Sequence, residues 1–192
     1  MGFLTTRTRE SGFLSAIATW VFAAGVLSAQ PQLLLPASEY EVKAAFLYNC
    51  AKFVEWPNDP SERPNTPISV CILGKDPFGP TIEEAVRGKT AAGRPLSITR
   101  AARLQELRRC HILFISSSEQ KQVGKILADL TNAEGVLTVG ETEGFTEMGG
   151  MINLTTDENR IRFEINAEAA GRHGLKISSR LLQLVRVIRN RD

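Results

Sequence analysis

The sequence predicts an α/β fold: a three-layer sandwich around a mostly parallel central sheet, with an antiparallel hairpin at one edge. Three observations carry this. Two short apolar runs, residues 68–74 and 110–116, are rich in β-branched and aromatic residues and close on Gly or Ser, as strands buried on both faces do. Stretches of helical spacing alternate with these runs. Finally, Ile161, Phe163 and Ile165 alternate with Arg162 and Glu164, so the last strands have one wet face and belong to a hairpin.

The elements follow in order. Arg7 and Arg9 precede an uncharged apolar run from Phe13 to Leu27, then Ser28, Ala29 and Gln30. This is the layout of a secretory signal, expected over residues 1–29. The run is about 15 residues, short of the roughly 20 that span a bilayer; an uncleaved anchor is the alternative. No Cys follows the small residues, which speaks against a lipoprotein, and Thr8 separates the two arginines, which speaks against a twin-arginine signal. Residues 30–38, with Pro31 and Pro36, read as a linker, and 39–192 as a single domain.

Ser38 with Glu41 forms a capping box for a helix over 39–55, ended by Trp56-Pro57. Glu41, Tyr48, Asn49, Lys52 and Glu55 share one stripe and Lys43 lies alone opposite, so most of the helix is expected to be buried. A polar, Pro-rich loop over 58–67 leads to the first cysteine strand. Asp76-Pro77 is expected to start a helix through Ile82, Ala85 and Val86 that stops near Gly88. A strand over 94–99, a short helix or turn over 104–108 and the second cysteine strand follow. Ser117 or Ser118 caps a helix with Val123, Ile126, Leu127 and Leu130; residues 136–140 make a fourth strand. Gly149-Gly150 marks a tight bend or bulge before the hairpin strands 151–155 and 160–165. Asn166 caps a helix that Gly174 ends, and Ser178 begins a last helix with Leu181, Leu182, Val185 and Ile188 on one side.

The 192 residues are 43% hydrophobic with a formal net charge of +2, and mean hydropathy is near zero. Removing residues 1–29 takes away two Arg and one Glu, leaving 21 basic and 20 acidic residues. The basic residues are scattered, with no footprint for nucleic acid. The three cysteines are Cys50, Cys71 and Cys110. In an oxidising compartment a disulfide is expected. Cys71 with Cys110 is favoured because Cys50 sits in a helix pattern facing the core; three buried free thiols remain the alternative.

Catalytic signatures are thin. Of two histidines, His111 lies in an apolar strand and reads as a hydrogen-bonded core residue, and His173 stands at a helix end. There is no C-x-x-C, H-E-x-x-H or G-x-S-x-G, so no metal, no cofactor and no serine nucleophile is indicated. Residues 74–79 follow a strand but lack phosphate-loop spacing. A protein that is not an enzyme is the expectation.

Two features suit binding. Tyr48, Lys52 and Trp56 lie near the wet stripe of the first helix and suit a partner contact, unless Trp56 folds back into the core. Arg172, His173, Lys176 and Arg180 surround the last interhelical turn and could hold an anion near Ser178, or form a solvated basic surface.

The stretch from Glu41 through Phe46-Leu47-Tyr48-Asn49 to Glu55-Trp56-Pro57 resembles the opening motif of the YfiR-like family. So do Gly74-Lys75-Asp76-Pro77-Phe78-Gly79, Cys110-His111-Ile112-Leu113-Phe114, Gly149-Gly150-Met151-Ile152-Asn153, Arg162-Phe163-Glu164-Ile165-Asn166 and Gly174-Leu175-Lys176-Ile177-Ser178-Ser179-Arg180, in the same order. The resemblance implies a periplasmic repressor of a membrane-bound diguanylate cyclase. Such a protein binds the cyclase's periplasmic domain and lowers cyclic di-GMP and biofilm formation. It further implies sequestration by an outer-membrane lipoprotein and a homodimer. The family's structural disulfide falls on Cys71 and Cys110, while the positions of a second pair found in some members hold Phe145 and Ile152. Some members carry a basic residue where Glu55 stands and a histidine within residues 176–178 that is missing here. A ligand pocket is therefore carried only onto Arg172, Lys176 and Arg180. The alternative reading is a periplasmic small-ligand sensor coupled to another receptor.

Overall fold

Ser38 opens the first helix as a capping box: its hydroxyl accepts from the Glu41 N–H, and the Glu41 carboxylate accepts from the Ser38 N–H. In the computed structural model this helix, α1, is Glu39–Phe53. The structure describes Gly2 and residues 38–57, 65–107, 109–157 and 160–189. The expected signal and linker, apart from Gly2 and Ser38, lie outside the described residues, as do most of the Pro-rich loop and the side chains of Val185 and Ile188. The chain divides into two units, Met1–Leu35 and Pro36–Asp192, and every element below belongs to the second.

α1 ends two residues before the expected 55. Val54–Glu55 turns extended as β1 and pairs antiparallel with a strand far along the chain, Val54 opposite Ile177 and Glu55 opposite Lys176. The N–H of Ser178 donates to the Phe53 carbonyl (3.0 Å), taking up one carbonyl that the helix end leaves free.

β2 is Ile68–Leu73 and α2 is Thr81–Val86. The helix expected at Asp76-Pro77 starts later. The Asp76 carboxylate accepts from the Phe78 N–H (2.8 Å) as a local turn, and Gly79 at φ 55° leaves the helical path. β3 (Thr90–Ala91) and β4 (Arg94–Ala101) form a hairpin that the sequence reading missed. Its turn residues, Ala92 and Gly93, have φ 50° and 75°, the arrangement of a type I′ turn.

A 3-10 turn at Leu104–Glu106 precedes β5 (Ile112–Ile115). The cap after β5 is Ser116, one residue before the expected pair. It caps a 3-10 stretch that runs into α3 (Val123–Asp129). β6 is Leu137–Gly140, and the hairpin is β7 (Ile152–Asp157) with β8 (Arg160–Ile165). Asn166 caps α4 (Ala167–Arg172) through the Ala169 N–H (2.9 Å). β9 is Lys176–Ile177 and α5 is Ser179–Arg189. Within α5, Leu181 is buried, whereas Leu182, expected on the same side of the helix, is exposed.

The main sheet has the order β3-β4-β2-β5-β6-β7-β8. Strands β4, β2, β5, β6 and β7 run parallel; β3 and β8 are antiparallel edges. Side chains alternate between its two faces. Val70, Ile72, Ile112 and Phe114 join α1 in the larger core. Cys71, Leu73, Leu113 and Ile115 join Val123, Ile126 and Leu127 of α3 in the smaller. Helices thus cover both faces, as the three-layer reading expects.

That alternation also sorts the cysteines. Cys71 and Cys110 are bonded on the α3 side of the sheet, with Cα atoms 5.8 Å apart. Cys50 is free and buried in the α1 core on the other side.

The Phe145 ring lies against two glycines. A Cβ on Gly140 would sit 2.4 Å from its Cδ2, and one on Gly150 would sit 2.1 Å from its Cε1. The ring is fully buried and has no room to yield. Gly150→Ala is therefore expected to destabilise the protein by about 2 kcal/mol or more, measured by urea unfolding; a shift under about 0.5 kcal/mol would contradict this packing.

Candidate functional site

α1 presents an outer stripe because Glu41, Ala45, Tyr48 and Lys52 recur at spacings of three and four. Glu41, Ala45 and Lys52 are exposed and Tyr48 is half-buried. The Tyr48 hydroxyl donates to the Thr90 carbonyl (3.3 Å), which ties the stripe to the β3–β4 hairpin. Lys89 Nζ stands 4.7 Å from the Tyr48 ring centroid and Lys52 Nζ 5.6 Å from it; Lys52 also lies 5.1 Å from the Phe53 ring. Two ammonium groups thus flank one phenol, each contact worth about 0.5–1 kcal/mol at an exposed site. The result is an aromatic platform with a positive rim, suited to an acidic partner surface.

Sequence reasoning missed Lys89. Only the packing of α1 against α2 brings it beside Tyr48, and nothing local in the sequence marks it.

Trp56 is not joined to this pair. It is half-buried and packs against the larger core. Its indole N–H donates to the His111 carbonyl (3.2 Å), with the rings edge-on at 5.9 Å. His111 is buried where β5 begins. Its N–H donates to the Ser69 carbonyl (2.9 Å), its carbonyl accepts from the Leu137 N–H (2.8 Å), and its Nδ1 accepts from the Ser69 N–H (3.1 Å). It therefore continues the ladder between β2 and β6.

Arg172, Lys176 and Arg180 are all exposed near the α4–α5 connection. Arg172 already pairs with Glu168 one helical turn back (2.8 Å). His173 Nδ1–H donates to the Ala133 carbonyl (2.8 Å). This turn is thus partly neutralised, and its histidine is engaged in holding the loop before β6. The Ser178 hydroxyl, expected to help hold an anion, is buried with no hydrogen-bond partner among the described residues.

A second polar centre lies at the C-terminal ends of β5 and β6. Lys43, 2% exposed, extends its ammonium to Glu39 (2.5 Å) and Glu141 (2.8 Å). Glu141 also accepts from the Ser117 N–H (2.9 Å) and the Tyr40 hydroxyl (3.3 Å), and Glu39 accepts from the Thr156 hydroxyl (2.6 Å). Burial, followed by the Glu141 and Glu39 charges, pushes the Tyr40 phenol up to about 12. Every member is partnered, so the network reads as a clamp between α1 and the sheet. The lone Lys43 of the helix pattern was visible in the sequence; its partner Glu141 was not.

Among the described residues no group of three or more His, Cys, Asp or Glu is placed to hold a metal ion, and no helix is long and apolar enough to cross a membrane.

No match is found among curated proteins. The YfiR/HmsC-like family model matches residues 40–186, from the first turn of α1 into α5. The chain belongs to the YfiR/HmsC-like family.

Proposed function

We propose that this protein is a periplasmic regulator, not an enzyme, that inhibits a membrane-bound diguanylate cyclase by binding the cyclase's periplasmic domain. The observation that carries the reading is the family match across residues 40–186. The Cys71–Cys110 bond supports it, because such bonds persist in oxidising compartments. In this reading residues 1–29 are the export signal, 30–38 a linker, and 39–192 the working domain. The Tyr48–Lys52 platform, extended by Lys89, is the contact surface. Sequestration by an outer-membrane lipoprotein, which frees the cyclase, and assembly as a homodimer belong to the same proposal. The small-ligand reading is weaker, since Arg172 is already paired with Glu168.

The test is cyclic di-GMP in cells with and without the gene. Deletion is expected to raise it at least two-fold. The exported protein restores the original level, and a version lacking residues 1–29 does not. No rise on deletion overturns the reading. Calorimetry with small anions then checks the sensor alternative.

A further inference from the structure

Among the described residues β4 is paired on one side only from Leu96 onward, with β2; the short β3 covers just Arg94 and Pro95 on the other side. The Ala101 carbonyl faces β2, where it accepts from the Gly74 N–H (2.9 Å). Backbone groups alternate along a strand, so the N–H and C=O of Leu96, Ile98 and Arg100 point to the open side. Among the described residues no backbone hydrogen bond closes that side.

Natural sheets blunt such edges. The opposite edge strand, β8, does so with exposed Arg160, Arg162 and Glu164. β4 carries Leu96, Ser97, Ile98 and Thr99 instead. Its one late charge, Arg100, is engaged by Asp76 (2.6 Å), Glu83 (2.5 Å) and the Gly79 carbonyl (3.0 Å).

Beside this edge lies a groove of about 480 Å³ between α2 and β4. Val86, Pro95, Leu96 and Ile98 give it apolar walls, and Arg87 and Lys89 stand exposed at its rim. Neither cation forms a salt bridge among the described residues. Lys89 is the residue that also flanks Tyr48, so the groove is continuous with the α1 platform.

We propose that this groove and the free edge of β4 receive an extended segment of another polypeptide, alternating apolar and acidic residues, which adds to the sheet as a strand. Main-chain pairing would come from Leu96, Ile98 and Arg100, apolar contact from the groove walls, and charge selection from Arg87 and Lys89. A second copy fits less well, because its β4 brings Arg94 and Arg100 and no acid to a rim that is already basic. The proposal deepens the regulatory reading by giving the partner's chemistry, and rests on that reading for the partner's identity.

The test uses the purified protein with a synthetic peptide of about nine residues alternating Glu with Val and Ile, and a counterpart with Lys in place of Glu. The acidic peptide is expected to slow amide hydrogen exchange at Leu96, Ile98 and Arg100 at least ten-fold, leaving Ser97 and Thr99 unchanged. Arg87→Glu with Lys89→Glu, both at exposed positions, is expected to weaken its binding at least ten-fold. The proposal is overturned if none of the three amides is protected or if the Lys peptide binds equally well. It is also overturned if those amides are already protected in a peptide-free dimer, which would assign the edge to a second copy. The same double variant enters the cyclic di-GMP assay. Failure of the variant to repress supports the groove as the cyclase contact; full repression overturns that contact and leaves the regulatory reading intact. No rise on gene deletion overturns the regulatory reading alone, and the peptide result still supports the groove.

Discussion

Replacing Lys43 with Met is expected to destabilise the protein by roughly 3–5 kcal/mol, the largest single-residue effect foreseen here. The reason lies in what remains. The Glu141 side chain is 3% exposed and Lys43 is its charge partner. Without the ammonium a carboxylate stays in the interior with, among the described residues, only the Ser117 N–H and the Tyr40 hydroxyl to hold it. Urea unfolding measures the loss, which corresponds to a fall in Tm of about 10 °C for a domain of this size. Adding Glu141→Gln to the first substitution removes the orphaned charge and is expected to recover most of the stability. An unchanged midpoint in Lys43→Met would show that the clamp does not hold α1.

The same network sets an acid dependence. Burial alone would raise the Glu39 carboxyl, but hydrogen bonds from Lys43 and Thr156, with the Lys43 charge, hold it below its ordinary value of 4.5. A carboxyl lowered in the folded state stabilises above its unfolded value, and that stabilisation is lost as pH falls through the folded one. Stability is therefore expected to decline below about pH 4.5, and less steeply in Lys43→Met.

Removing the disulfide is the second large effect. The bond joins residues 39 apart. In the chain-entropy account a loop of that length gives about 4 kcal/mol. The double substitution Cys71→Ala with Cys110→Ala is expected to lose that amount in unfolding experiments. A loss under about 1 kcal/mol would show that strand pairing, not the bridge, holds β2 to β5. Thiol titration tests the assignment independently. Burial pushes the Cys50 thiol well above its ordinary range, so the native protein is expected to show no reactive thiol. Unfolding should reveal one, and unfolding with reductant all three. Two or more reactive thiols without reductant would exclude the bond.

What the sequence determined by itself was local. β-branched runs marked β2, β5 and β6, since a strand buried on both faces needs such residues along its whole length. The Ser38–Glu41 box and the Asn166 cap were legible because capping is a contact between near neighbours. Tyr48 and Lys52 were legible as one patch because helical spacing alone puts them together. Distant pairings decided the rest. The end of α1 depends on Val54 meeting Ile177, and the burial of Lys43 on Glu141 waiting at the end of β6. The platform gained Lys89 because α2 packs beside α1. Trp56 is held half-buried, its indole N–H on the His111 carbonyl of a distant strand. The open edge of β4 exists only because the strand order puts β2 inside and leaves β3 two residues long. Periodicity reports how each segment divides between water and core. Which distant segments share that core is set by the packing of the whole chain, and the composite surfaces follow from it.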